Sequence, residues 1–136
     1  MEKMIIDHIG IAVKSLESAT VKYHLGMGLS IEKPITIKEH KVRMVMLPIG
    51  ESRIELLEPT EKSSPISKFL DKRGEGVHHI CFKVKNIKKK IKALKKVGLE
   101  VLEDVSNLGY KGQKIVFLHP KSTNGVLIEL VEESIS

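Results

Sequence analysis

What most limits how this chain can fold is that one strand-like run occurs twice. Asp7-His8-Ile9-Gly10-Ile11-Ala12-Val13 near the N-terminus is echoed by His78-His79-Ile80-Cys81-Phe82-Lys83-Val84. In register, His79 falls on His8, Ile80 on Ile9, Phe82 on Ile11 and Val84 on Val13. Both runs alternate apolar with small or polar residues, the period of a half-buried strand. Each places a histidine on the face opposite its large apolar residues. That face continues with Gly10 and Ala12 in one copy and Cys81 in the other. Small side chains beside a histidine leave room for another group.

The segments after each echo repeat as well. Ser15 reads as the N-cap of a helix with Glu17 in its first turn, running to about Leu25 and ended by Gly26 and Gly28. Leu29 to Ile37, Val42 to Ile49 and Arg53 to Pro59 read as strands, with Pro34 marking an edge or irregularity in the first. Ser64 and Pro65 open a short linker helix, and Gly74 and Gly76 close the linker. The second half then runs strand 77–84, helix Asn86 to Val97, and strands Leu99 to Val105, Lys114 to Leu118 and Val126 to Glu132. The order is βαβββ twice. Gly28-Leu29 matches Gly98-Leu99, Met46-Leu47-Pro48 matches Leu118-His119-Pro120, and Ile54-Glu55-Leu56 matches Ile128-Glu129-Leu130. Such a chain of 136 residues suits an α+β fold of two modules in one domain, 1–136. The modules run from about 4 to 59 and from about 76 to 133, with a linker helix at about 64–73.

Superposing the repeats singles out four residues: His8 and Glu55 in the first module, His79 and Glu129 in the second. A lone strand histidine is usually an ordinary half-buried residue, and a lone strand glutamate often faces solvent. Recurrence at matched positions argues otherwise. Glu55 and Glu129 sit inside Ile-Glu-Leu runs, where a carboxylate is costly to bury unless it is paired or binds a metal. Two imidazoles and two carboxylates suit Zn²⁺, Co²⁺, Mn²⁺, Fe²⁺ or Ni²⁺. His78 takes the register of Asp7, so its side chain leaves the other strand face. Cys81, the sole cysteine, reads as a small packing residue, and no intrachain disulfide can form.

The formal net charge is +6, yet aromatic residues are only 4% and there is no Trp, so a base-stacking surface is poorly supported. Lys88, Lys89, Lys90, Lys92, Lys95 and Lys96 form the solvated face of a helix whose Ile87, Ile91, Leu94 and Val97 recur at helical spacing. No nucleic-acid partner is expected. Three of these lysines stand early in the helix and oppose its macrodipole, so no charge stabilisation is expected at that end. No apolar run approaches the about 18 residues that a membrane span needs. Met1-Glu2-Lys3-Met4-Ile5-Ile6 meets Asp7 before a signal-peptide core can form. A cytoplasmic protein without a membrane partner is the expectation.

With the repeat and its four polar residues in place, the chain resembles the vicinal oxygen chelate superfamily of glyoxalases and dioxygenases. It is most similar to that superfamily's methylmalonyl-CoA epimerase branch. Asp7 to Val13, Ile54 to Pro59, Ser64 to Leu70, Gly76 to Cys81, Phe117 to Lys121 and Gly125 to Leu130 carry the resemblance, which covers nearly the whole chain. The histidine and glutamate positions specify the superfamily. The linker helix, the His-His-Ile-Cys run and the closing Phe-Leu-His-Pro-Lys and Gly-Val-Leu-Ile-Glu-Leu segments specify the branch more sharply.

The resemblance implies a curved mixed sheet around one divalent ion held by His8, Glu55, His79 and Glu129. Co²⁺ is favoured, with Mn²⁺, Zn²⁺, Ni²⁺ or Mg²⁺ as alternatives. It implies an acyl-CoA substrate, interconversion of (2R)- and (2S)-methylmalonyl-CoA by α-proton abstraction, Glu129 as a catalytic base, and a homodimer. Lys111, Gln113, Lys114 and His119 are the residues expected to meet the substrate. One departure matters: the third-strand position that is a glutamate in some relatives is Met44 here. Glu39, Glu58, His119 or a water are then candidates for the opposite base. The alternatives are a glyoxalase I-type lyase acting on a hemithioacetal, and a non-catalytic module of the same fold that binds an antibiotic.

Overall fold

A computed structural model describes residues 3–134. The backbone divides into two compact units, one formed by His8–His78 and the other by His79 onward with the segment ending at Asp7. Each is α+β, as the sequence predicts.

In the first unit, β1 (Ile5–Ala12), β2 (Ile35–Ile37), β3 (Val42–Ile49) and β4 (Ser52–Pro59) are ordered β2-β3-β4-β1. β1 runs parallel to β4, with Gly10 opposite Glu55, while the remaining pairs are antiparallel. The β3–β4 hairpin turns through Gly50-Glu51, and Gly50, with φ of 59°, takes the left-handed position that such a two-residue loop demands. α1 (Leu16–Thr20) starts at Ser15, whose Oγ accepts from Ser18 N at 3.1 Å. It continues as one π-helical stretch, Val21–Gly26, and the chain turns away at Gly28, where φ is 80°. α2 spans Pro65–Arg73. Its Ser64 cap accepts from Ile66 N, and Pro65 occupies the first turn, where a missing N–H costs nothing.

In the second unit, β5 (Gly76–Val84), β6 (Ile115–Leu118) and β7 (Ile128–Glu132) are ordered β5-β7-β6. β5 and β7 are parallel with Cys81 opposite Glu129, and β6 is antiparallel to β7. α3 (Ile87–Lys96) is capped by Asn86, whose Oδ1 accepts from Lys89 N at 3.0 Å.

Matching residues fill the two cores. Val13, Val45, Leu47 and Leu56 pack against Leu16 of α1, and Val84, Val116, Leu118 and Leu130 pack against Ile87 of α3. The opposite sheet face of each unit carries the histidine and the glutamate.

Two predicted strands are mostly not strands. Leu29 to Ile37 forms ladder pairs only over Ile35–Ile37. Pro34 has no N–H to give, although Glu32 N still donates to Met46 O at 2.9 Å and Leu29 and Ile31 remain against the core. Leu99 to Val105 makes isolated bridges at Val101–Leu118 and Ser106–Ile115. Five steps separate Val101 from Ser106 but three separate Leu118 from Ile115, so two residues must leave the ladder, and the exposed Glu103-Asp104 does so. The repeat alignment also shifts by one residue on the third strand. Met46 faces Glu55 and Phe117 faces Glu129, so Met46 corresponds to Phe117, Leu47 to Leu118 and Pro48 to His119.

Candidate active site

β1 and β4 bring His8 and Glu55 to one face of the first unit. The two are not direct ladder partners: His8 pairs with Arg53, and Gly10 pairs with Glu55. Gly10 has no side chain, so the imidazole can lean diagonally toward the carboxylate, and His8 Nε2 lies 3.5 Å from Glu55 Oε1. β5 and β7 repeat the arrangement with Cys81 in the place of Gly10, and His79 Nε2 lies 3.1 Å from Glu129 Oε1. All four residues are only 5–7% exposed. The Phe117 ring stands edge to face against His79, with centroids 5.8 Å apart, and walls one side of the imidazole.

The structure therefore brings His8 to Glu55 and His79 to Glu129. These donors fit a divalent ion. Imidazole nitrogen and carboxylate oxygen are both ligand types that such ions accept, and buried carboxylates beside imidazoles are the groups that would hold one.

His78, next to His79, packs its ring edge to face on Phe69 of α2 at 5.0 Å. Cys81 is fully buried and packs with Ile115, Val131 and Phe117. Met44 is also fully buried, opposite Leu57 on the face that carries Glu55.

The residues expected at the substrate fall at two ends of β6. At its start, Lys111 and Lys114 are exposed. Lys111 Nζ lies over the Tyr110 ring at 5.2 Å, and Lys114 Nζ lies 3.9 Å from Glu132. Gln113 Nε2 donates to Ser134 Oγ at 3.2 Å and to Glu132 O at 3.4 Å. At the other end of β6, His119 caps a short 3₁₀ turn, its Nδ1 accepting from Lys121 N at 3.1 Å. In the neutral ring its proton then sits on Nε2.

Three carboxylates make contacts that the sequence does not predict, Glu58 among them, which is expected there only as a candidate base. Asp7 is buried and pairs with Lys83 Nζ at 3.6 Å. The alternation of β1 signals its position, because Asp7 precedes His8 inside an apolar strand. Glu58 Oε2 accepts from Leu16 N at 2.5 Å, and Glu132 Oε2 accepts from Ile87 N at 3.0 Å. Each stands three residues after the glutamate of its own module, so the repeat itself carried the signal. Glu132 also places a negative charge at the N-terminus of α3, where none was expected, and offsets the lysines there.

Residues 7–117 match the model of the Glyoxalase/Bleomycin resistance protein/Dioxygenase superfamily. The chain is 38% identical to the mitochondrial methylmalonyl-CoA epimerase of Homo sapiens over 126 residues, 92% of this chain and 72% of that protein. It is 37% identical to the ethylmalonyl-CoA/methylmalonyl-CoA epimerase of Cereibacter sphaeroides over 127 residues, 92% and 95% of the two chains. The structure of Streptomyces coelicolor methylmalonyl-CoA epimerase in complex with 2-nitronate-propionyl-CoA superimposes with a TM-score of 0.89 at 39% identity, covering 96% of this chain and 97% of that one. Two matched His–Glu pairs on a duplicated scaffold and full-length similarity to these proteins lead to one assignment: the chain belongs to the Glyoxalase/Bleomycin resistance protein/Dioxygenase superfamily and, within it, to the methylmalonyl-CoA epimerase family of isomerases.

Proposed function

We propose that the protein interconverts (2R)- and (2S)-methylmalonyl-CoA. The observation that carries this reading is the buried His–Glu pair, present once in each unit on equivalent parallel strands. The similarity to epimerases, one of them solved with an acyl-CoA analogue, supplies the substrate.

In this reading the whole chain, 1–136, is one domain of two modules, about 4–59 and 76–133, joined by the linker helix at about 64–73. His8, Glu55, His79 and Glu129 hold one divalent cation, Co²⁺ first, with Mn²⁺, Zn²⁺, Ni²⁺ or Mg²⁺ as alternatives. When bound, that cation supplies Lewis acidity to the oxygens of the substrate. Glu129 takes the α-proton from one face of the substrate, and a proton delivered to the opposite face, from Glu39, His119 or a water, completes the inversion. The α-hydrogen lies between two carbonyl groups, which makes it acidic enough for a carboxylate to remove. Met44 offers no proton from the third strand. Glu58 is engaged with the start of α1, so neither serves the opposite face of the substrate. Lys111, Gln113, Lys114 and His119 meet the rest of the acyl-CoA.

The protein acts in the cytoplasm as a two-fold homodimer, the commonest closed assembly, each protomer carrying its own site. Among the described residues no helix is long and apolar enough to cross a membrane.

The test is exchange of the α-proton of methylmalonyl-CoA for deuterium, followed by NMR with and without a chelator. Exchange that the chelator abolishes and a divalent ion restores is expected. A glyoxalase I-type lyase would instead convert the glutathione hemithioacetal of methylglyoxal and leave the α-proton in place. A non-catalytic binding module would do neither. Light scattering reads the assembly: a mass near 15.2 kDa with full activity would remove the dimer as a requirement.

A further inference from the structure

Two hydrogen bonds recur at equivalent places and lie outside the chemistry above. Glu58, at the end of β4, accepts from Leu16 N at the start of α1, and Glu132, at the end of β7, accepts from Ile87 N at the start of α3. In each unit the helix follows directly from the strand that bears the histidine, and the carboxylate ends the strand that bears the glutamate. Each bond therefore ties the C-terminal ends of two parallel neighbours, β1 to β4 and β5 to β7. The main chain reinforces the tie through Val13 N to Leu57 O at 2.9 Å and Glu133 N to Val84 O at 2.7 Å.

Parallel strands have no hairpin to fix their register, and a slip of one residue sends every side chain to the other face. A slip of β4 against β1 would carry Glu55 away from His8. Ser15 and Asn86 cap the helices from within their own turns, accepting from Ser18 N and Lys89 N, whereas Glu58 and Glu132 reach the first helical N–H from a neighbouring strand and so link helix start to strand end. We propose that Glu58 and Glu132 are positioning residues for the metal site, acting through Glu55 and Glu129 by holding the His-bearing and Glu-bearing strands in register. The inference rests on the metal-binding reading of the four residues.

The experiment is titration with Co²⁺, read by visible absorption and calorimetry, at a temperature where circular dichroism shows each variant folded. Glu58→Ala and Glu132→Ala are expected to lose about 10-fold in Co²⁺ affinity, the lower end for a group supporting metal ligands, and to change the absorption envelope. Ser15→Ala and Asn86→Ala remove a cap from the same helix ends and spare the strand tie, so they are expected to lower Tm while keeping parental affinity. If the alanine variants do not fold, Gln and Asp decide. Gln preserves reach and Asp preserves charge, so positioning predicts Glu58→Gln and Glu132→Gln close to parental affinity and Glu58→Asp and Glu132→Asp well below it. Parental affinity and spectrum in the alanine variants, or Asp better than Gln, would overturn the inference and leave the metal reading standing. Failure of the parent protein to bind Co²⁺ would overturn the metal reading, and this inference with it.

Discussion

Cys81 stands directly across the parallel β5–β7 ladder from Glu129, at the position that Gly10 holds opposite Glu55. Its side chain is fully buried and shares the sheet face of His79. Size, rather than thiol chemistry, then decides what this position tolerates. Cys81→Ala is expected to keep divalent-ion binding and epimerase activity. Cys81→Leu overpacks the space beside His79, with a cost of about 1–3 kcal/mol, and is expected to weaken ion binding. Thermal denaturation and ion titration of the two variants check this. An active, ion-binding Cys81→Leu protein would show that no space is reserved beside the imidazole.

Adjacent histidines separate the site from the scaffold. His79 faces Glu129, while His78 packs on Phe69. His79→Ala is expected to abolish stoichiometric ion binding and turnover. His78→Ala removes an aromatic contact worth about 1 kcal/mol and is expected to keep the ion and most activity, with a lower Tm. Elemental analysis of both purified variants decides, and loss of the ion from the second but not the first would reverse their roles.

Much of this was legible because the chain states it twice. One Ile-Glu-Leu run is ambiguous, but two at the same distance along matched modules assign faces to whole strands. What stayed illegible depended on backbone pairing rather than side-chain pattern. Leu99, Val101 and Val105 keep their apolar spacing and still reach the core beneath α3, yet the segment leaves the ladder at Glu103-Asp104. Apolar periodicity reports burial and is blind to unequal strand lengths. The same limit put Leu118 in the register of Met46, which only the ladder corrects to Phe117. The ties from Glu58 and Glu132 span 42 and 45 residues, beyond the reach of any local pattern.

Exposed charge should matter far less than the buried pairs. Glu61 is exposed, and the Ser63 hydroxyl and then Lys41 hold its carboxyl below the usual range. A depressed folded pKa stabilises the protein above the unfolded pKa, and that contribution is lost as pH falls through the folded value. Solvent screening keeps such a pair weak. Glu61→Gln is therefore expected to leave Tm at neutral pH nearly unchanged. Its Tm should also converge on that of the parent as the solution is acidified through the carboxylate range. Scanning calorimetry across pH checks both. A large neutral-pH loss would mean that the Lys41–Ser63–Glu61 cluster anchors the segment before α2.

The start of β6 supplies the clearest probe of substrate binding. Lys111 and Lys114 are exposed, and Lys114 is only loosely engaged, 3.9 Å from Glu132. Acyl-CoA carries several phosphate charges, and contacts to them act equally on the ground and transition states. Losing such contacts raises KM and leaves kcat in place. The double variant Lys111→Ala, Lys114→Ala is expected to raise KM for methylmalonyl-CoA about 5-fold, as two solvent-exposed ion pairs would, with kcat unchanged. The difference from the parent should shrink in high salt, because exposed charges are screened within a few ångströms at molar ionic strength. Steady-state kinetics at low and high salt provide the check. An unchanged KM at low salt would remove these lysines from the substrate site. A fall in kcat at constant KM would mean that the segment acts on the reacting centre instead, through the bond that Gln113 makes to the main chain of Glu132, three residues beyond Glu129.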